Sequence, residues 1–305
     1  MMYLQFMKRL LHLILILPTV FFAQNYLDLV RVSYGESPYN AWENIMGGNQ
    51  NSRITLFDAD LTMPVVLNQN NVLITGANIN RNELALGPEN TRDQLWNLGL
   101  KIGWSHTIDP LWSTTLVALP KVAGDPQSLM FSELWIGGFA LVKYQKSEGL
   151  IYKFGAYGSQ EAFGFFTTPI FGFYYLSPSK KFEADVSLPI ALNLNYTSHS
   201  WTYGIDYVGN GRSFLLKPNA DGPRYVDLSA LAFSSFVQKG NKSKSLLYRL
   251  KLGYATNDYE VYERGQKIGL GLSAFSFGDD RNQLNPEFSG SLFFKFEVIY
   301  RFHLQ

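Results

Sequence analysis

The stretch FEADVSLPIALNLNY, from Phe182 to Tyr196, decides the fold because its side chains alternate between two characters over fifteen residues. Apolar or aromatic side chains occupy the even positions, and polar or small residues occupy the odd positions. Such alternation is typical of a β-strand with one apolar face and one polar face. Strands of soluble proteins usually have about 5–6 residues. The sequence therefore predicts a single strand longer than a soluble sheet needs.

The length of this predicted strand suits a membrane crossing. Fifteen residues at about 3.3 Å each extend to roughly 50 Å, and a tilt near 45° reduces the height to about 35 Å. The apolar band of an outer-membrane barrel is about 25 Å tall, so one such strand can cross it. We therefore expect the even positions to face lipid, and Glu183 and Asp185 to face a polar lumen.

The same pattern recurs along the chain, most clearly in WNLGLKIGW (96–104), where tryptophan bounds the apolar face at each end. Tryptophan is enriched at the two interfaces of a membrane. The pattern predicts an all-β fold, a transmembrane antiparallel up-and-down β-barrel of about 12–14 strands. The other strands are expected over 25–35, 53–67, 71–81, 110–120, 132–145, 149–158, 165–176, 201–207, 225–238, 246–254, 267–274 and 292–302.

The N-terminus predicts export. Lys8 and Arg9 precede an apolar run that ends in FFAQ, which is typical of a secretory signal peptide. We expect residues 1–23 to be a cleaved signal peptide and residues 24–305 to form one barrel domain in the cell outer membrane. The chain has no cysteine, which excludes disulfides and a lipoprotein anchor. Its formal net charge of +1 argues against a nucleic-acid partner.

Connection lengths support the barrel, with one exception. Long connections mostly alternate with short ones, as in barrels with long outer loops and short periplasmic turns. The turn near YTSHS (196–200) should then be an outer loop but is short, whereas 208–224 should be a periplasmic turn but is long. Two explanations stay open. Either a strand pair is miscounted here, or residues 208–224 fold into the barrel mouth.

Several segments together resemble an uncharacterised family of Bacteroidota outer-membrane β-barrels, a domain of unknown function. They are the FFAQ signal end, the opening YLDLVRVSYGES, PIFGFYYLSPSKKFEADVSLPIALNLNY and the closing FFKFEVIYRF. The resemblance implies location and fold, and no activity. The alternation of aromatic and apolar residues in that last segment also resembles the signal by which barrel assembly machinery recognises its substrates. We expect that machinery and outer-membrane lipid to be partners.

The charged residues on the expected lumen faces are the candidate functional site. Acidic and basic side chains balance there, which favours an interior salt-bridge network over an ion-selective pore, since such a pore would carry a ring of one sign. A substrate path lined by both signs is the alternative. The candidate residues are Asp58, Asp60, Lys101, Glu133, Lys143, Lys153, Glu183, Asp185, Asp206, Arg249, Lys251, Lys295, Glu297 and Arg301.

Catalytic, cofactor and metal sites find little support. His106, His199 and His303 are far apart in sequence, and neither GNGR (209–212) nor GLGLS (269–273) has a full phosphate-binding fingerprint. The segment TSHSW (197–201) places histidine between two serines at an expected outer turn, a position that a lipid-modifying enzyme could use. Sequence neighbours do not define a catalytic dyad, because side-chain geometry and a third orienting group are required. We expect a solvated polar turn and no cofactor.

Three hypotheses for function follow from these observations. The first is a pore or transporter for a small or amphipathic solute. The second is a structural or surface-interaction barrel without transport, and the third is a membrane-embedded lipid-modifying enzyme. The sequence favours the first and does not predict an enzyme.

The alternation makes a testable prediction about two adjacent residues, Leu188 and Ser187. Leu188→Arg should impair assembly strongly, because an arginine on the lipid face costs about 2–4 kcal/mol at the bilayer midplane. Ser187→Arg should be tolerated better, because the new side chain would face a hydrated lumen. The folded fraction of each variant is measured by heat-modifiable mobility in SDS. A larger defect for Ser187→Arg would mean that inside and outside are inverted.

Overall fold

A computed structural model describes residues 26–42, 51–87, 92–129, 133–220, 222–273 and 275–303, so the expected signal peptide lies outside the described residues. Within these ranges, no helix is long and apolar enough to cross a membrane. The strands are β1 (Tyr26–Ala41), β2 (Asn51–Asn68), β3 (Asn71–Leu84), β4 (Asp93–Thr107), β5 (Trp112–Gly124), β6 (Trp135–Ser147), β7 (Leu150–Glu161), β8 (Gly164–Leu176), β9 (Phe182–Leu188), β10 (Ala191–Ser198), β11 (Trp201–Asn219), β12 (Gly222–Gly240), β13 (Leu246–Ala255), β14 (Asp258–Glu263), β15 (Leu270–Leu272), β16 (Phe275–Phe277) and β17 (Ser291–His303).

Fourteen of these strands close into an antiparallel barrel, as the sequence predicted. β1 to β13 pair in sequence order, and β17 pairs with both β13 and β1 to close the wall. Both ends of the described chain, Tyr26 and His303, lie opposite each other at one end of the barrel. The short turns after β2, β6 and β10 lie at the same end, which is periplasmic by the rule for outer-membrane barrels.

The exterior of the barrel is apolar, and the predicted facing of WNLGLKIGW is confirmed. Leu98, Leu100 and Ile102 are exposed on the outside, whereas Asn97, which precedes Leu98, is buried on the lumen side. A closed barrel satisfies every ladder hydrogen bond without leaving an edge, so a sheet can cross a membrane in this form. An antiparallel barrel with this apolar exterior belongs in an outer membrane.

The prediction of one fifteen-residue strand over 182–196 is wrong, because the stretch is a hairpin. β9 and β10 pair with each other, with Ser187 opposite Ala191, and the N–H of Ile190 donates to the carbonyl of Ser187 at 2.9 Å. Pro189 lies in the turn, where its missing N–H removes no ladder bond. Each arm of this hairpin is therefore about half as long as the predicted strand.

The alternation survives the turn because residues directly opposite each other in an antiparallel pair lie on the same face of the sheet. Asp185 is opposite Asn193 and Glu183 is opposite Asn195, so both arms keep their odd positions towards the lumen. A straight strand and this hairpin thus have the same residue pattern. The hairpin also places His199 at the periplasmic end, which corrects the expected outer turn.

The count of fourteen is right although two strand assignments are wrong. The predicted strand over 267–274 is not part of the closed wall, because it contributes β15 to a small hairpin with β16. We call the pair of strands β15 and β16 the wall insert. Splitting 182–196 into two strands adds one strand to the wall, and losing 267–274 removes one.

β11 leaves the barrel wall half-way along its length. Residues 201–208 pair with β10, but beyond Val208 the strand bends inward, and Leu215 pairs in parallel with Gly124 of β5. Strands β6 to β10 separate β5 from β11 in the wall, so this contact crosses the barrel interior. β12 pairs with this inward part of β11, and β14 pairs with β12. We call residues 209–219, 222–231 and 258–263 the inner sheet.

Both faces of the inner sheet are buried, which places it inside the outer half of the barrel. Phe214 and Val226 on one face pack in a core with Ile54 and Leu95 of the wall. On the other face, the hydroxyl of Ser213 donates to a carboxylate oxygen of Glu161 at 2.9 Å. Both explanations of the irregular connections thus hold: a strand pair was miscounted, and 208–224 folds into the mouth, as strands rather than as a loop.

The hairpin at Pro189 can be tested with disulfides, because the chain contains no cysteine. The variant Ser187→Cys/Ala191→Cys should form a disulfide under mild oxidation, since directly opposed residues lie about 4.5–5.5 Å apart. The matched pair Ala191→Cys/Asn195→Cys has the same sequence spacing within one strand and should not. Bond formation is measured as loss of alkylatable thiols. Failure of the first pair in the folded protein would restore the continuous strand.

Candidate functional site

The lumen near β11, β13 and β17 contains a compact ionic cluster of predicted residues. Lys251 Nζ lies 2.5 Å from an oxygen of Asp206 and 3.4 Å from an oxygen of Glu297. Arg249 lies 3.5 Å from Glu297 and donates two hydrogen bonds to the amide oxygen of Gln238. All four charged side chains are at least nine-tenths buried, so each charge depends on its partners for stabilisation.

The other predicted ion pairs line a wetter part of the lumen. Lys295 pairs with Asp58 at 3.0 Å and Lys101 pairs with Asp60 at 2.6 Å. The side chain of Asp60 is 41% exposed although it points into the barrel. Water therefore reaches this side of the interior, and a pair such as Lys101 with Asp60 contributes less to stability than the buried cluster.

The remaining predicted residues are distributed unevenly. Arg301 pairs with Asp28 at 2.6 Å, and Glu183 accepts a 2.6 Å hydrogen bond from the hydroxyl of Tyr26 across the lumen. Lys153 pairs with Asp185 at 2.5 Å, and Lys143, which is directly opposite Lys153, forms no ion pair with the described residues.

Glu133 is an error of prediction. It precedes β6 rather than belonging to it, is exposed, and pairs with Arg264 at the outer end of the molecule. The predicted strand 132–145 began too early, which placed this residue on a lumen face that it does not share.

Sequence reasoning also missed lumen charges, for two physical reasons. A bulge between Asp28 and Val30 shifts the alternation, so that Arg31 pairs with Asp28 inside the barrel despite its opposite parity. Lys121 and Glu161 form a buried pair at the outer ends of β5 and β7, beyond the predicted strand ends. Irregular backbone and underestimated strand length are the common causes.

A cavity of about 510 Å³ lies beside the edge of β11 that β10 leaves uncovered. It lies on the lumen side of the gap that longer β9 and β10 strands would fill. β4, β5, β7 and β8 border it, and Pro189 and Ile190 at the tip of the β9–β10 hairpin form one rim. The wall insert borders the opposite rim through Ser273, Phe275 and Ser276.

One part of the cavity is polar and carries an unpaired cation. Arg212 donates to the amide oxygens of Asn80 at 2.6 Å and Asn210 at 2.9 Å, and no carboxylate of the described residues pairs with it. Asn78 and Asn97 also line the cavity, and the Oδ1 atom of each is buried without a hydrogen-bond partner among the described residues. The amide nitrogen of Asn97 donates to the amide oxygen of Asn80 at 2.9 Å, which leaves the Asn97 oxygen as an acceptor. Both free oxygens can accept a hydrogen bond from a ligand.

The remaining chemical candidates do not assemble into a site. His199 Nδ1 lies 3.2 Å from the hydroxyl of Ser198 in an exposed turn, but the hydrogen bonds of the described residues provide no acidic partner for the histidine. Within the described ranges, no cluster of His, Cys, Asp or Glu could hold a metal ion.

Between the wall insert and β17, the Arg281 guanidinium donates to Asp279 and holds the pKa of that carboxyl below its usual range. This pair fixes the connection over the barrel mouth.

Comparison with known proteins gives distant structural matches. No protein-family model and no curated protein matches the chain. The deltaS2 mutant of the TodX monoaromatic hydrocarbon channel is 11% identical over 91% of both chains, with a TM-score of 0.36. LpxR from Salmonella typhimurium is 7% identical over 89% of this chain and 99% of its own, with a TM-score of 0.35. Acinetobacter baumannii OccAB4 is 9% identical over 92% of this chain and 99% of its own, with a TM-score of 0.27.

The ionic cluster predicts unequal effects of removing two lumen lysines. Lys251→Met should destabilise the barrel by about 3–5 kcal/mol, because it leaves Asp206 buried without a cation and Glu297 with Arg249 alone. Lys101→Met should cost less than about 1 kcal/mol, because water can solvate Asp60. Urea unfolding in lipid, followed by tryptophan fluorescence, measures both. Equal losses would contradict the division of the lumen into a buried and a wet part.

Proposed function

We propose that this protein is an outer-membrane transporter for a small amphipathic solute. The observation that carries the proposal is the 510 Å³ cavity, which joins an amide-rich wall with an unpaired arginine to a rim of apolar side chains. A site of this volume holds one small molecule, and convergent polar groups in an otherwise apolar cavity orient it.

The geometry favours transport of a bound solute over free diffusion through a wide pore. The inner sheet crosses the outer half of the lumen and packs against the wall on both faces. The paired charges further in fill much of the interior near β13 and β17. Since both signs alternate along this surface, it does not form the one-sign ring of an ion-selective pore.

The alternatives are less well supported by this arrangement. A purely structural barrel has no need for a cavity lined by a cation that forms no ion pair with the described residues. A lipid-modifying enzyme requires a nucleophile or base with an orienting partner, and His199 lies in an exposed turn without a hydrogen bond to an acid of the described residues. Recognition by barrel assembly machinery through β17, and membership of the Bacteroidota family suggested by the sequence, stay predictions.

The transport proposal is tested by liposome swelling with solutes of different character. Liposomes containing the protein should swell faster in sodium benzenesulfonate than protein-free liposomes, and should gain little permeability to raffinose. Equal permeability to both solutes would indicate a wide water-filled pore. No protein-dependent swelling in either would support the structural barrel instead.

A glycine in the cavity provides the matched variants. A Cβ built at Gly211 would meet no atom within 4 Å, and the residue does not have a positive φ, so Gly211→Leu should fold while filling the cavity. We expect this variant to slow benzenesulfonate-driven swelling about tenfold, because the leucine occupies the binding volume. Gly87→Leu, at an equally open position near the outer end of β3, should leave the rate unchanged.

A further inference from the structure

The barrel wall is incomplete between β8 and β11. β9 pairs with β8 only between Phe171 and Leu176, and β10 pairs with β11 only as far as Val208. Gly164–Ile170 of β8 and the inward-bent part of β11 therefore have no complete strand between them. In lipid, such a break leaves two sheet edges whose backbone groups need other partners.

The wall insert closes part of this break. β15 pairs in parallel with β8 at Phe166 and Thr167, and the N–H of Ser273 donates to the carbonyl of Thr167 at 2.9 Å. Phe275 of the insert is 69% exposed, yet it also lines the cavity, as does the exposed Pro189 on the hairpin tip below. The cavity thus reaches the lipid-facing surface between the insert and the hairpin. We call this gap the side opening.

The polar end of the cavity has the groups that bind an anion. On the free edge of β11, the N–H of Gly209 donates to Ile190, and the N–H of Ser213 donates to Glu161. Because N–H groups on one edge recur at every second residue, the N–H of Gly211 points to the same edge, and open space adjoins this residue. Arg212 next to it adds a cation without a carboxylate partner. A backbone N–H beside a guanidinium suits a charged oxygen acceptor.

The carboxylates around the cavity do not cancel this preference. Asp227 is paired with Arg281 at 2.8 Å. Asp258 lies in the row Gly211, Ser229 and Asp258 across three strands, about 10 Å from Gly211 at the usual strand spacing. Arg212 belongs to the neighbouring row and points to the other face of the inner sheet, towards Asn80. Asp258 is therefore two strands away from the anion-binding groups on the free edge of β11.

We propose that the side opening admits a single-tailed amphiphile with an anionic head group, which binds at Gly211 and Arg212 while its tail extends past Pro189 and Phe275 into lipid. This assignment rests on the proposed transport function and names its substrate class and route. The tail passes between one hairpin tip and one short insert, and the head group lies beside the amide of Asn78.

The experiment uses single cysteines in a chain that has none. Gly211→Cys reports on the cavity, Leu188→Cys on the lipid-facing surface, and Ser179→Cys on the water-exposed periplasmic turn. Each folded variant, checked by heat-modifiable mobility, is reacted in phospholipid vesicles with membrane-dissolved pyrene maleimide and with a sulfonated, water-soluble maleimide. The pyrene reagent should label Gly211→Cys at a rate within about threefold of Leu188→Cys, because the thiol is reached from lipid.

Two amphiphiles with the same tail then test the head group. Decyl sulfate should slow pyrene labelling of Gly211→Cys about tenfold, whereas decyltrimethylammonium should not, since a charged hydrogen bond is formed with the sulfate alone. Adding Arg212→Gln should remove most of this protection, and Arg212→Lys should retain part of it. Leu188→Cys controls for dilution of the reagent by the amphiphile.

The outcomes separate this inference from the transport proposal. Labelling of Gly211→Cys by the water-soluble reagent alone would refute the side opening. Equal protection by both amphiphiles would refute the anionic head group. If the labelling gives either of these results but liposomes with the wild-type protein still swell in benzenesulfonate, the transport proposal stands and the solute uses another route. Lipid-side labelling with selective protection but without swelling would instead establish the binding site and refute transport.

Discussion

The constraint on which this structure depends is that backbone hydrogen bonds in a membrane must be satisfied within the protein. A regular closed barrel meets this constraint with neighbouring strands of similar length. The β9–β10 hairpin is too short to pair with the full length of β8 and β11. The free edge of β8 is covered by the wall insert. The free edge of β11 bends away from lipid and finds Glu161 and the β5 backbone inside the barrel. One short hairpin thereby accounts for both departures from a regular wall.

These departures also shape the interior. The bend carries β11, β12 and β14 across the mouth, and their apolar face completes a core with the wall. The cavity is the volume that full-length β9 and β10 would have lined. Around it, Glu161 is held by Lys121 and Ser213, so the charge that anchors the inner sheet is itself neutralised. Arg212 forms no ion pair with the described residues and remains available to a solute.

Much of the barrel follows from the sequence because alternation reports directly which face each residue occupies. Alternation alone predicts that Leu98, Leu100 and Ile102 face outward. It also predicts that Lys251 and Asp206 face the lumen. The hairpin at Pro189 could not be read from alternation, because opposed residues share a face and both arms keep the same parity. Pro189 was the one local signal against a continuous strand. The cavity depends on contacts such as Arg212 with Asn80, far apart in sequence, which no local pattern reports.

The inward path of β11 is the central claim, and a distance across the barrel tests it most directly. Lys217 N–H donates to the carboxylate of Asp125, so spin labels on Asp125→Cys and Lys217→Cys should lie close together. A fourteen-strand barrel is roughly 28 Å across at usual strand spacing and tilt, and β5 and β11 are on nearly opposite sides of the wall. Pulsed electron paramagnetic resonance in lipid should give a distance under about 20 Å, allowing for label linkers on adjacent backbones. A distribution centred near about 30 Å would place β11 in the wall along its whole length and contradict the account.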